Sequence, residues 1–380
     1  MHHQYILNRR KLLGITSGLA ASAALPAWAQ ASRSTSAGRI SVAQIVDMSA
    51  TQIDVSKDFL VGARAAWSDI NAKGGLRGKT IQHQVIEVDG TAANLRAAVE
   101  SLKNQTQCVA LFGTSGDRAA SQIADILRRE LPDIAHIAPW LQNLDLIGGD
   151  NTFPIFASRQ DQITHAVKSL AVMGVTEMGA VYGSPAEFAS YKTDVELAAQ
   201  TLGLRLKNYS PSADLQQLGK TLTPDTPRVL VFIGGTPELY EFSRGIDKQA
   251  ALRYIVGMSD VNLQTLSQMG SSRHAQVVAT QVVPLVNSNL PIVRAYRDTL
   301  GRLYDEPPTP HSLAGFMSAR YTYEMLQSID GAVTRQSTLQ ALQKRSSVEL
   351  GGFRLNLDGK NRSGTYVTQS MIAPDGRLIG

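Results

Sequence analysis

From residue 39 onward the sequence alternates short apolar runs with amphipathic segments of helical period, and few folds accommodate that alternation. Arg39 to Val46 reads as a strand. Lys57 to Asn71 reads as a helix whose Phe59, Ala63, Trp67 and Ile70 fall at spacings of four and three along one stripe. Gly74, Gly75 and Gly78 end that helix and return the chain to a strand over Ile81 to Val88. A helix over Ala92 to Lys103, a strand over Val109 to Phe112, a helix through Ile123, Ile126 and Leu127 and a strand over Ile134 to Ala138 continue the pattern. Such alternation with short links predicts a parallel sheet covered on both faces.

The same order restarts after Thr152 to Ser158. Helices through Ile163, Val167 and Leu170, through Tyr191, Val195 and Leu202, and through Leu239, Phe242 and Ile246 alternate with strands at Glu177 to Tyr182, Arg228 to Ile233 and Arg253 to Val256. The prediction is an α/β protein of two lobes. Two more helices follow Pro284, over Leu290 to Tyr304 and His311 to Ile329. In the tail, Gly352 to Leu357 and Thr365 to Ile372 read as the two arms of a hairpin with a longer loop. Glycine and proline are spread through turns, so no low-complexity linker separates the lobes.

Ahead of this pattern, Arg9-Arg10 and Lys11 precede an apolar, small-residue run from Ile15 to Pro26, and Ala27-Trp28-Ala29 supplies the small residues that a signal peptidase reads. Residues 1–29 are expected to be a twin-arginine signal peptide cleaved before Gln30, and residues 30–38 a flexible leader. Loss of the signal lowers the formal charge from +5 to +2, so the basicity gives no support to a nucleic-acid footprint. No later stretch reaches 18 uninterrupted apolar residues, and no integral membrane segment is expected after cleavage. One cysteine, Cys108, cannot form an internal disulfide, so packing must stabilise the exported chain.

The segment Gly113-Thr114-Ser115-Gly116, after one strand and before one helix, can cradle a phosphate, support a nucleophile or merely reverse the chain. Asp117 at the helix entrance repels phosphate. No Gly-x-Gly-x-x-Gly follows a strand, and Gly78-Lys79-Thr80 has Lys73 where the Walker pattern needs glycine. The Gly-x-Ser-x-Gly spacing of a hydrolase elbow is missing as well. Histidines 83, 136, 165, 274 and 311 stand alone, and His136, inside a strand, reads as a hydrogen-bonded sheet residue; no metal and no cofactor are expected. What remains is a crevice beyond the carboxyl ends of two parallel sheets, where Ser115 can donate its hydroxyl and Gly116 its exposed N–H to a small solute. A tight turn held only for its dihedrals is the alternative.

DINAKGGLRGKTI at 69–81, preceded by SVAQIVDMSATQ at 41–52 and followed by EVDGTAAN at 87–94, resembles the first lobe of the leucine/isoleucine/valine-type periplasmic solute-binding proteins, the type I receptors of ABC importers. The likeness covers residues 39 to 380. It implies a two-lobed periplasmic-binding-protein-like fold with a ligand cleft between the lobes: residues 39–158 and 285–347 forming lobe 1, and 159–284 and 348–380 forming lobe 2. It also implies a monomer in the periplasm that captures an amino acid, an amide or a small aromatic or aliphatic organic acid by lobe closure and hands it to a membrane permease, without catalysis. An exported ligand-sensing subunit of a signalling receptor would share fold and cleft, and an exported α/β enzyme is the remaining alternative.

The resemblance also implies site residues. Ser49 matches the small hydroxyl residue after the first strand, although Ala50 and Thr51 replace the customary Gly-Pro and Val55 stands where a tyrosine is frequent. Ser115 and Gly116 match the glycine-rich loop after the third strand, but Asp117 replaces a serine that helps hold a ligand carboxylate. Ala138 keeps the small-residue strand end, and Trp140 follows where small residues are usual; it can cover an apolar solute or pack. Phe188 takes an aromatic position, Thr236 follows Gly234-Gly235 at a helix entrance, and Asp260 lies near the acid that recognises an amino group. These departures leave an ordinary branched-chain amino acid open but not favoured, and an aromatic, amide-containing or otherwise modified solute fits equally well.

Overall fold

A computed structural model describes residues 40–144, 150–247, 249, 251–270, 274–344, 347–355, 364–373 and 378–380. The expected signal peptide and leader lie outside the described residues. The chain opens with β1 (Ile40–Asp47), α1 (Ile53–Ala72), β2 (Ile81–Val88), α2 (Ala92–Lys103), β3 (Cys108–Phe112), α3 (Asp117–Glu130), β4 (Ala135–Ile137) and β5 (Thr152–Phe153). These strands form a parallel sheet in the order β2-β1-β3-β4-β5. Side chains alternate across it as the pleat requires. Val42 and Phe112 join the cluster of α1, while Ala43, Ile45 and Leu111 join that of α2 and α3.

The second lobe holds α4 (Arg159–Val172), β6 (Glu177–Tyr182), α5 (Pro185–Thr201), β7 (Arg205–Asn208), α6 (Leu215–Lys220), β8 (Val229–Ile233), α7 (Thr236–Ile246), β9 (Arg253–Gly257), α8 (Leu263–Gln268) and β10 (Ala275–Gln281). Met178, Ala180 and Tyr182 pack on one side with Ile163, Val167 and Val195; Leu230 and Phe232 pack on the other with Leu239 and Phe242. Each such fully buried large apolar side chain contributes about 1.5–3 kcal/mol by leaving water.

The chain then supplies α9 (Pro291–Leu303), α10 (Pro310–Gln327) and α11 (Arg335–Gln343) to the first lobe, followed by β11 (Val348–Leu350) and β12 (Phe353–Leu355). Leu350, Phe353 and Leu355 are buried in the same cluster as Phe59 and Trp67. Next come β13 (Thr368–Ile372) and β14 (Leu378–Ile379), which complete the second sheet in the order β14-β13-β10-β9-β8-β6-β7. The expected tail hairpin is therefore paired differently. β12 turns back on β11 through Gly351-Gly352, both at positive φ, and β13 lies antiparallel to β10. Two left-handed residues give the tight turn that matches strand twist.

One helix contact fixes the first lobe. A side chain on Gly62 of α1 would sit 1.6 Å from the carbonyl oxygen of Ser312, and one on Gly315 of α10 would sit 1.8 Å from that of Phe59. Only glycine permits this approach. It sets the middle of α1 against the first two turns of α10. Among the described residues no helix is long and apolar enough to cross a membrane.

Candidate functional site

In an open parallel sheet the crevice lies beyond the carboxyl ends of the strands. Here those ends carry Asp47 as the last residue of β1, the turn to Asp117 after β3 and Trp140 after β4; in the second lobe they carry Glu187 after β6, Thr236 and Glu238 after β8 and Asp260 after β9. The two sets meet. Thr236 Oγ donates to Asp54 of α1 at 2.6 Å, and the Asn262 side chain donates to Asp58, one turn further along α1, at 2.9 Å. Asp54 and Asp58 share a helix face because they stand four residues apart.

Behind these bridges lies a buried polar knot centred on Asp260. Its Oδ1 accepts from the Trp140 indole at 2.8 Å and from the Gln142 amide at 2.6 Å, and its Oδ2 from the Arg159 guanidinium. Arg159 is the first residue of α4, fixed there by the Ser158–Asp161 capping box. The Gln142 side-chain Oε1 accepts from the Gln162 amide at 2.7 Å and from Ser259 Oγ at 3.1 Å, and the Gln162 Oε1 accepts from the Ser259 N–H and from Thr280 Oγ1, both at 2.9 Å. His311 Nε2 donates to the Ser259 carbonyl at 2.7 Å, which sets its tautomer. Burial works to raise the Asp260 pKa, but the Arg159 charge and the hydrogen bonds from Trp140 and Arg159 together hold it below the ordinary carboxylate value. For Arg159 burial opposes the charge, and Asp260 overrides it to keep the guanidinium protonated.

In front of the knot the acids differ. Burial, then the charge of Asp260, pushes Asp117 up. Burial pushes Glu187 up to about 7 against the opposing pull of Arg159, with Asp260, Asp117 and Glu238 adding repulsion. Glu238 is raised for the same first reason. Several polar atoms here are buried without a hydrogen-bond partner among the described residues: Ser115 Oγ, Asp54 Oδ1, Arg159 Nε and Nη1, Glu187 Oε2 and Glu238 Oε2. Buried groups left unpaired cost about 1–3 kcal/mol each, so ordered water or a bound molecule must meet these atoms. Among the described residues no group of three or more His, Cys, Asp or Glu could hold a metal ion.

The residues singled out in the sequence fall at different places around this space. Ser49 begins the turn into α1, its N–H on Asp47 and its carbonyl accepting from Gln52 and Ile53. Ser115 bridges to Val46 of β1, and Gly116, at φ 94°, caps α3 where a side chain would strike Asp47 at 2.9 Å. Asp117 accepts from the backbone N–H groups of Gln142 at 2.6 Å and Asn143 at 3.3 Å, and so ties the loop after β4 to α3. Ala138 takes φ 48°, and its carbonyl is held by Ser318 at 2.9 Å. Trp140 is buried against Phe59, Phe156 and His311, with its indole N–H on Asp260. Both Asp260 oxygens are thus taken by protein donors. Phe188 packs edge-on to Tyr182 at 5.0 Å beneath Lys192, on its own lobe. Its neighbour Glu187 and, one turn on, Tyr191 occupy the face of α5 toward Arg159. Arg159, Gln142, Gln162, Glu187 and Glu238 were missed; a helix-entrance Arg or Glu reads in sequence as solvated, and only the tertiary fold sets Arg159 against Asp260 and Tyr191.

The model of the periplasmic binding protein family matches residues 39–373, and the chain belongs to that family. No curated protein sequence matches it. Solved structures share its fold. An extracellular ligand-binding receptor from Verminephrobacter eiseniae is 18% identical with a TM-score of 0.82, over 90% of this chain and 100% of the other. The branched-chain amino acid substrate-binding protein LivJ from Streptococcus pneumoniae, in complex with isoleucine, is 16% identical with a TM-score of 0.77, over 90% and 98%. A fatty acid ABC transporter substrate-binding protein from Thermomonospora curvata is 14% identical with a TM-score of 0.79, over 90% and 91%.

Proposed function

We propose that this protein is exported, captures a small organic solute between its lobes and delivers it to the membrane permease of an ABC importer. The observation that carries the reading is the set of unpartnered buried polar atoms contributed by both lobes at the carboxyl ends of their strands. A solute entering there supplies the missing partners, and the bridges from Thr236 and Asn262 to α1 close the lobes over it. Ser115, Gly116, Asp117 and Thr236 stand at the solute's boundary, and Ser49, Ala138, Trp140 and Asp260 support it from behind. Export uses the Arg9-Arg10 signal with cleavage after Ala29, and the mature protein acts in the periplasm as a monomer. Isoleucine and fatty acid, the solutes named for two of the structural neighbours, differ too much in chemistry to transfer a solute class.

Mass spectrometry of small molecules released from natively purified protein, followed by small-angle scattering with and without the released compound, tests this reading. Contraction on adding the compound is expected. Unchanged scattering at a saturating concentration would refute closure over a solute.

A further inference from the structure

The receptor reading leaves the charge of the solute open, and the carboxylates around the cleft bear on it. Asp54, Asp117, Glu187 and Glu238 each stand in the first turn of a helix, where the helix dipole favours an acid and where an acid is ordinarily solvated. Here the entrances of α5 and α7 adjoin, since a side chain on Gly183 would meet Glu238 Cβ at 3.1 Å, while Thr236 ties the α7 entrance to Asp54 and Gln142 links Asp117 to Asp260. Asp54 Oδ1, Glu187 Oε2 and Glu238 Oε2 are buried without a hydrogen-bond partner among the described residues, so both lobes contribute unanswered carboxylate oxygens. Arg159 is the cation that acts on Asp117 and Glu187, and its charge is already answered by Asp260 in a buried ion pair.

An independent observation says that a molecule is meant to enter. Ser115 is 0% exposed with its hydroxyl unpartnered, and Arg159 is 1% exposed with Nε and Nη1 unpartnered. Those guanidinium nitrogens are obligate donors and require an acceptor oxygen. An anionic solute would accept from those donors but would bring a like charge among carboxylates that no second cation answers. A zwitterion of zero net charge would leave the excess of acids uncorrected.

We infer, building on the receptor reading, that the cleft takes a solute of net positive charge, an amine or guanidine that also carries an acceptor oxygen. Its cationic end lies between Asp117 of the first lobe and Glu187 and Glu238 of the second, and its oxygen faces Arg159 and Ser115.

The test uses the mature protein and a deproteinised small-molecule extract of the cells that make it, split at pH 7 on cation- and anion-exchange resins into cationic, neutral and anionic pools. Thermal unfolding and small-angle scattering are followed with each pool. The cationic pool alone is expected to raise the melting temperature and contract the protein. A response confined to the neutral or anionic pool overturns the charge inference and leaves the receptor reading standing; no response to any pool overturns both. The Glu187→Gln/Glu238→Gln variant is expected to melt above the parent without solute, since a repulsion is removed, and to need at least tenfold more of the cationic pool for half its response. An unchanged requirement in the folded variant overturns the placement of the cation.

Discussion

The indole N–H of Trp140, on the first lobe, donates to the carboxylate of Asp260, on the second, at 2.8 Å, and the same carboxylate is the counter-ion of buried Arg159. One acid thereby ties the interlobe contact to the start of α4. Asp260→Asn removes the ion-pair partner of the buried guanidinium, and loss of one member of a buried pair costs ~3–5 kcal/mol. Trp140→Phe keeps Gln142 and Arg159 on the acid and removes one hydrogen bond to a charged group, about 1.5–3 kcal/mol. Denaturant unfolding of both variants and their double should place Asp260→Asn well below Trp140→Phe. Equal losses would mean that the ion pair is not what holds the knot.

Thr236 offers a second, more selective perturbation. Its hydroxyl donates to Asp54 across the cleft and accepts from the Asn262 N–H within its own lobe. Thr236→Val preserves shape and deletes both, and the bridge to Asp54 counts only while the lobes are together. Solute affinity is expected to fall by about 1 kcal/mol, roughly fivefold. Titration calorimetry checks this, and unaltered affinity would remove Thr236 from the closing contact.

Glu187 predicts a pH dependence of the solute-free protein. Its pKa is raised from 4.5 to about 7, chiefly by burial, so between those values the folded state binds a proton that the unfolded state has lost. Stability then falls as pH rises through this window, and the raised Asp117 and Glu238 act in the same sense. Asp260, held low, acts oppositely: its contribution is lost only as pH falls below the ordinary carboxylate range. Melting temperature should decline from pH 5 toward pH 8 and decline less in Glu187→Gln. An identical slope in the variant would assign the decline to other groups.

How much of this was legible in the sequence depends on which physical signal each element carries. Regular strands and long amphipathic helices announced themselves, and β2 and α2 fall on the expected residues because glycine turns or a Thr cap bound them. Shorter pieces carry no period: α6 and α8 have six residues each, and β7, Arg205–Asn208, is an edge strand with two exposed basic residues. β10 was hidden because Ala275–Gln281 reads as a mixed polar run until β9 and β13 cover its two edges. Strand-end residues such as Ser115 and Asp117 could be placed because topology alone puts them at the crevice. Gln142 and Gln162 could not, since they become partners only when a loop of one lobe meets a helix of the other.

The turn Gly113-Thr114-Ser115-Gly116 separates fold from binding in two adjacent residues. Gly116 sits at φ 94°, and any Cβ there would lie 2.9 Å from Asp47 Cβ and 3.1 Å from its Oδ2. Gly116→Ala therefore combines a left-handed backbone with a clash against a side chain that is itself 3% exposed, and a stability loss on the order of 1–3 kcal/mol is expected. Ser115 is different: its backbone bonds to Ile45 and Asp47 hold the turn, whereas its hydroxyl has no partner among the described residues. Ser115→Ala should leave the melting temperature of the solute-free protein unchanged or slightly raised, because a buried unpaired hydroxyl is removed. Solute binding should weaken about fivefold, the loss of one hydrogen bond to a neutral group. Thermal unfolding and calorimetry on the two variants distinguish these roles. A Ser115→Ala protein that melts lower yet binds solute as the parent does would make the hydroxyl part of the fold and move the solute away from this turn.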